Sequence, residues 1–97
     1  MKPFTDDQIQ AELKKLKDWS YNGANIVKTY TLKNFSGAIG FINAIAVLAE
    51  AADHHPDILL HGWNKVDVML STHSANGITP NDFALAAKIN ETAETAS

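Results

Sequence analysis

The chain has 97 residues, with eight lysines, no arginine, eleven acidic residues, four histidines and no cysteine, and a net charge of −3. That length accommodates one hydrophobic core, so residues 1–97 are expected to form a single domain that needs no cross-links to fold. Without cysteine there are no disulfides, thiolate metal sites or thiol nucleophiles. Without arginine, and with lysines scattered apart from Lys14, Lys15 and Lys17, there is neither a basic face for nucleic acid nor a guanidinium fork for phosphate.

The N-terminal segment is polar and lacks the apolar core of a signal peptide. No stretch reads as the ~20 apolar residues of a membrane span, so a soluble, cytoplasmic protein with no membrane partner is expected. Thr5 followed by Gln8 predicts a capping box, and Ile9, Leu13 and Leu16 carry a helix to about Lys17. Trp19 and Tyr21 alternate with polar neighbours, Asn22-Gly23 is a turn signal, and Asn25 to Lys33 is rich in β-formers, which together predict a hairpin. In its second strand Ile26, Tyr30 and Leu32 share one face and Val27, Thr29 and Thr31 the other.

A long apolar segment from Asn34 or Phe35 to about Asp53 predicts a helix whose apolar residues cover more than one stripe. Such a helix is either enclosed by the core or keeps a second face for a partner. Pro56 ends it near His54-His55, because the residue before proline avoids the α region. Ile58 to Trp63 and Lys65 to Thr72 read as strands joined by a turn around Trp63. After a turn at Asn76-Gly77, Thr79-Pro80-Asn81-Asp82 starts a last helix that is expected to fray after Glu91. The expected fold is α+β in the order α-ββα-ββα, a four-stranded antiparallel sheet with three helices packed on one face. Trp19, Phe35 and Phe41 are expected core residues.

All four histidines lie between positions 54 and 73. Glu50 and His54 are four apart near a helix end, so the carboxylate is expected to orient that imidazole. His55 points elsewhere, Pro56 fixes the exit, and His73 follows the last strand where the chain leaves for a loop. Asp82 opens the helix beyond. A blander reading competes: a histidine pair at a helix C-terminus complements the dipole and bonds the last carbonyls. Spacing alone leaves both open. A metal site is disfavoured, because adjacent histidines diverge on a helix instead of matching the i, i+4 spacing of a zinc-binding helix. His61 reads as solvated surface, and Trp63 as either a ligand platform or a cover.

The run Glu50-x-x-x-His54-His55-Pro56, then Trp63, Thr72-His73, Gly77-x-Thr79 and Asp82, resembles the pterin-4a-carbinolamine dehydratase family. Trp19, Ile26, Phe35, Ala38, Phe41, Ala49-Glu50, Val66-x-Val68-x-Leu70 and Leu85-Ala86 follow the family's order, so the resemblance runs from about Asp6 to Ile89. Two departures mark the hairpin: Trp63 stands where many members have tyrosine, and the stretch from His55 to Trp63 is a residue longer than in some. The resemblance implies dehydration of a 4a-hydroxytetrahydropterin to the quinonoid dihydropterin, the recycling step after aromatic amino acid hydroxylation. It implies His54 and His73 as acid/base groups and His55 as a pterin-binding group. Glu50, Pro56, Trp63, Thr72 and Asp82 would bind or orient, without metal or organic cofactor. It also implies a homodimer or homotetramer and an aromatic amino acid hydroxylase as a partner. The alternative is a non-catalytic interaction module for a hydroxylase, a transcription factor or an assembly partner.

Overall fold

A computed structural model describes residues 2–96. In chain order the elements are α1 (Asp6–Leu13), β1 (Ser20–Tyr21), β2 (Ile26–Thr31), α2 (Phe35–Ala52), β3 (Asp57–His61), β4 (Lys65–Leu70) and α3 (Pro80–Ala96), with a single 3-10 turn at His73–Ala75. The strands form one antiparallel sheet in the order β1-β2-β4-β3. β4 is therefore inserted between β2 and β3, pairing Val68 with Lys28 on one side and with Ile58 on the other. The three helices lie on one face of this sheet, as the alternating strand residues require.

The alternation sorts the strand residues cleanly. Ile26 and Tyr30 of β2 and Val66, Val68 and Leu70 of β4 are buried against the helices, where Ile9, Ala38, Phe41, Ile45, Leu85, Ala86 and Ile89 meet them. Tyr30 stands at the centre, with its ring 4.8 Å from Phe41 and 6.4 Å from Trp19, both edge-on. Its hydroxyl donates to Asn90 Oδ1, which also accepts from Trp19 Nε1 and Lys28 Nζ. Burial raises the Tyr30 phenol far above its ordinary range, so it stays a donor. This knot pins α3 at Asn90 to the sheet, and the helix runs on to Ala96 instead of fraying after Glu91.

Other boundaries shift for local reasons. α1 carries the expected capping box, with Thr5 and Gln8 bonded reciprocally. It stops at Leu13 instead of Lys17, because tighter turns follow and Asp18 adopts a positive φ of 63°. α2 has Asn34 as its cap, and Ala38, Phe41, Ile45 and Ala49 form its buried stripe. Phe35 is not core: at the first turn of α2 it lies at the flank of that stripe and is 54 % exposed. Ile39 and Val47 are exposed on α2 as well, so this helix keeps a second apolar surface. Against the expectation that no stretch approaches a membrane span, α2 is long and apolar enough for one by length and composition alone; its buried stripe is docked on the sheet.

On the helix-free face, Asp67 of β4 accepts from Thr29 Oγ1 at 2.6 Å and lies 2.9 Å from His61 Nε2. His61 is thus exposed, as expected, but paired across the sheet. The Thr29 hydrogen bond, then the one from His61, holds the Asp67 carboxyl below its usual range. A depressed carboxyl contributes stability above its unfolded value of 3.8 and loses it as pH falls through the lower folded value. Because the pair is partly solvated, the effect is under about 1 kcal/mol. Asp67→Asn should remove that small contribution near neutral pH and flatten the loss of stability below about pH 4. Urea unfolding at stepped pH checks this, and parallel acid limbs for variant and wild type would refute it.

Candidate active site

Four segments meet at the end of the sheet where β4 finishes. The first is the exit from α2. Asp53 takes the left-handed conformation (φ 49°), and the amide of His54 reaches back to the carbonyl of Ala49 at 3.1 Å. This is a Schellman closure, with aspartate at the position glycine usually fills. The reversal at Asp53 breaks the helical phase, so Glu50 does not orient His54. Glu50 instead lies 3.5 Å from His55 Nε2, and both side chains are largely exposed.

His54 turns inward to Asp82. Its Nε2 is 2.5 Å from Asp82 Oδ1, with the imidazole mostly buried and the carboxylate wholly so. Asp82 is the third residue of α3, and its other oxygen accepts from the backbone N–H of Thr79 (2.9 Å) and from Thr72 Oγ1 (2.8 Å). Thr79 Oγ1 in turn accepts from the Asn81 amide. Thr79 and Asp82 therefore cap the start of α3 from both sides, Thr79 taking the Asn81 amide and Asp82 the Thr79 amide, a variant of the capping box with aspartate in the usual Glu/Gln place. Since the single Thr72 hydrogen goes to Asp82, the 2.8 Å contact between the two threonine hydroxyls has Thr79 as donor. A carboxylate only accepts, so Nε2 of His54 bears a hydrogen and Nδ1 is the nitrogen left for other work.

The third segment is the loop after β4. Thr72 and Gly77 exchange both backbone hydrogen bonds, closing a small loop that lifts His73 into solvent at the start of the 3-10 turn. The N-terminal arm straps this loop from behind: Phe4 N–H donates to Ile78 O at 2.7 Å, and a Cβ on Gly77 would come within 2.8 Å of Pro3 Cβ. Only glycine permits so close an approach.

His54, His55, Pro56, Thr72 and His73 line a common cleft of about 360 Å³, within the range of small-molecule sites. Of the remaining residues singled out in the sequence, Asp82 lies beneath the cleft as the partner of His54, and Glu50 lies at its rim beside His55. Trp63 is not part of it. At φ 58° it occupies the tip of the β3–β4 hairpin, 62 % exposed, at the opposite end of the strands. Sequence reasoning missed Asp53, Asp57 and Ser71, which also line the cleft. Asp57 follows directly on His-His-Pro, but only the β3–β4 register puts it beside the end of β4. Among the described residues no three His, Asp or Glu side chains converge as metal ligands.

A family model described as pterin 4 alpha carbinolamine dehydratase matches residues 2–92. The chain belongs to the pterin-4-alpha-carbinolamine dehydratase family. A relative from Roseiflexus castenholzii, provisionally named a pterin-4-alpha-carbinolamine dehydratase, is 49 % identical over 91 % of this chain and 94 % of its own length. One from Sulfurisphaera tokodaii, with the same provisional name, is 44 % identical over 94 % and 97 %. A crystal structure of a transcriptional coactivator/pterin dehydratase from Brucella melitensis superposes with a TM-score of 0.88 at 38 % identity, covering 94 % of this chain and 98 % of that one. A pterin dehydratase-like RuBisCO assembly factor of the alpha-carboxysome shares the fold at a TM-score of 0.67 and 23 % identity, over 78 % of this chain and 89 % of its own.

Removing Asp82 would strand His54, the Thr72 hydroxyl and the Thr79 amide in a buried place. Asp82→Ala is expected to cost about 3–5 kcal/mol of folding stability, read as a lower urea midpoint at constant m-value. Thr72→Val, which removes one donor only, is expected to cost about 1–2 kcal/mol. An Asp82→Ala loss below about 1 kcal/mol would show that the carboxylate does not organise the site.

Proposed function

We propose that this chain, acting as one domain, dehydrates a 4a-hydroxytetrahydropterin to the quinonoid dihydropterin in cytoplasmic tetrahydropterin recycling, with histidines as its proton-transfer groups. One observation carries the reading: three imidazoles share a cleft, and one is held in place by a buried carboxylate. In the reaction a proton is delivered to the 4a-oxygen, the C4a–O bond breaks and its electrons leave with water. The N5 lone pair forms the C4a=N5 bond, and the N5–H proton passes to a base. Imidazole is the side chain that gives and takes protons near neutral pH.

His54 and His73, on the two sides of the cleft, are assigned to these transfers. With Nε2 committed to Asp82, His54 would act through Nδ1, held in one orientation without a search over rotamers. The exposed His55, beside Glu50, is assigned to binding or polarising the pterin ring. Pro56 and Thr72 shape the walls. Trp63 is too far along the hairpin to touch a substrate in the cleft of its own chain. Nitrogen supplies the electron push, so the step calls for no metal or organic cofactor.

The exposed Phe35, Ile39 and Val47 of α2, together with Leu59 on the edge strand β3, favour self-association alongside catalysis. A homodimer or homotetramer is proposed. A pterin-dependent aromatic amino acid hydroxylase, whose product the reaction would clear, is the proposed functional partner. The coactivator and assembly-factor names of two structural relatives describe those proteins and keep a purely binding role as the competing reading.

Two measurements separate these roles. Following decay of the carbinolamine by absorbance, wild type should accelerate it, and His54→Ala and His73→Ala should each lower the rate by roughly 10²–10⁴. Equal acceleration by wild type and both variants would sink the assignment. By sedimentation velocity, wild type should run as an oligomer and Val47→Glu with Ile39→Glu as a smaller species. A monomeric wild type at tens of micromolar would refute self-association.

A further inference from the structure

Trp63 sits in a turn that rarely holds so large a residue. Its φ is 58°, directly after Gly62 at 56°, and the Asn64 amide closes back on the Gly62 carbonyl at 2.7 Å. Such an i→i+2 closure is strained for a residue with a side chain. Asn64 clamps the turn to the end of β2. Its carbonyl accepts from the Leu32 amide at 2.8 Å, and its Nδ2 donates to the Leu32 carbonyl at 3.0 Å. The indole is thus held firmly in solvent, at the end of the hairpin away from the histidines. A strained aromatic presented in this way points to a role outside its own chain.

The free edge beside it shows which chain. β3 closes one side of the sheet, and no lysine, proline or bulge within it blunts that edge. It reads Asp-Ile-Leu-Leu-His, a sequence that complements itself when run antiparallel. A two-fold axis normal to the sheet keeps the helices of both copies on one side, so like faces must meet. Centred on Leu59, the pairing sets each Asp57 carboxylate opposite the partner's His61 and brings the exposed Leu59 onto its own copy. Centred on Ile58 or Leu60, it would set Leu59 against Asp57 or His61. The Leu59 register continues past the strand ends, with Pro56 beside the partner's Gly62 and His55 beside the partner's Trp63.

We propose that two chains join β3 to β3 about Leu59 and that each supplies its Trp63 to the histidine cleft of the other. The inference rests on the self-association and the dehydratase activity proposed above, and it names the residue that the second copy contributes. Paired strands lie ~4.8 Å apart, less than an indole can reach. The partner's Trp63 therefore comes over the exposed His55, at the rim of the cleft. A flat heterocycle held by the histidines is then stacked by the indole and screened from water on its open side.

Because the chain has no cysteine, single-cysteine variants report the pairing directly. Leu59→Cys should give a disulfide-linked dimer under mild oxidation, whereas Thr31→Cys, on the same face of β2, should stay unlinked. A His55→Cys chain and a Trp63→Cys chain should link to each other, and neither to itself. Absence of the Leu59 link or of the mixed link would overturn the arrangement. Activity tests the indole itself. Trp63→Ala should lower kcat/KM for the carbinolamine roughly tenfold. When Trp63→Ala and His54→Ala chains are refolded together 1:1, about a quarter of all sites hold both His54 and Trp63. The mixture should then run roughly fivefold above the mean of the two variants. A mixture at that mean would confine the effect of Trp63 to its own chain and overturn the shared site. If wild type accelerates no carbinolamine, the dehydratase reading falls, and the two disulfides still decide the pairing.

Discussion

Asp82 is the group on which both the last helix and the histidine cleft depend. One of its oxygens takes the Thr79 amide at the start of α3 and the Thr72 hydroxyl at the end of β4; the other holds His54 at the exit of α2. A single buried carboxylate thus joins three elements that are distant in sequence. It is tolerated in the interior because its contacts include charge-assisted hydrogen bonds from a hydroxyl, an amide and an imidazole. Stability at the helix start and imidazole orientation are therefore not separately adjustable.

The sheet provides the rigidity behind this arrangement. β4 is paired on both sides, so the point where the chain leaves it for Thr72 and His73 is fixed by two ladders. α2 is fixed in turn by its buried stripe. The side chains that line the cleft hang from the ends of these elements, where short loops can vary while the scaffold stays constant. The relatives that share the fold under different names illustrate that a scaffold is not a function.

Most of the architecture was legible because local signals and global pattern agree. Thr5 with Gln8, Asn22-Gly23 and Thr79-Pro80 mark element boundaries by mechanisms that act within a few residues. Strand faces followed from alternation. What could not be read depended on contacts between distant segments. The four-residue spacing pairs Glu50 with His54 only in a helix that continues through Asp53; Asp53 turns left-handed, and the carboxylate arrives from a residue 28 positions on. The chemistry of Phe35 points to the core, whereas its place on the first turn of α2 leaves it exposed. Trp63 fell outside the cleft because a hairpin carries its tip away from its base. Asp57 and Ser71 were invisible as site residues until the β3–β4 register placed them side by side.

The strap of Pro3 and Phe4 over Gly77 and Ile78 joins segments separated by about three quarters of the chain. The arm is held by this backbone hydrogen bond and by the Phe4 ring against Phe83, and it lies outside the strand ladders. Hydrogen exchange would therefore find the amide of Phe4 opening at a lower free energy than the amides of β4. Because the strap backs the loop that carries His73, the site can lose its order while the sheet remains intact. The working lifetime of the cleft is then set by a sub-global opening at the joined end of the chain, and not by melting of the core.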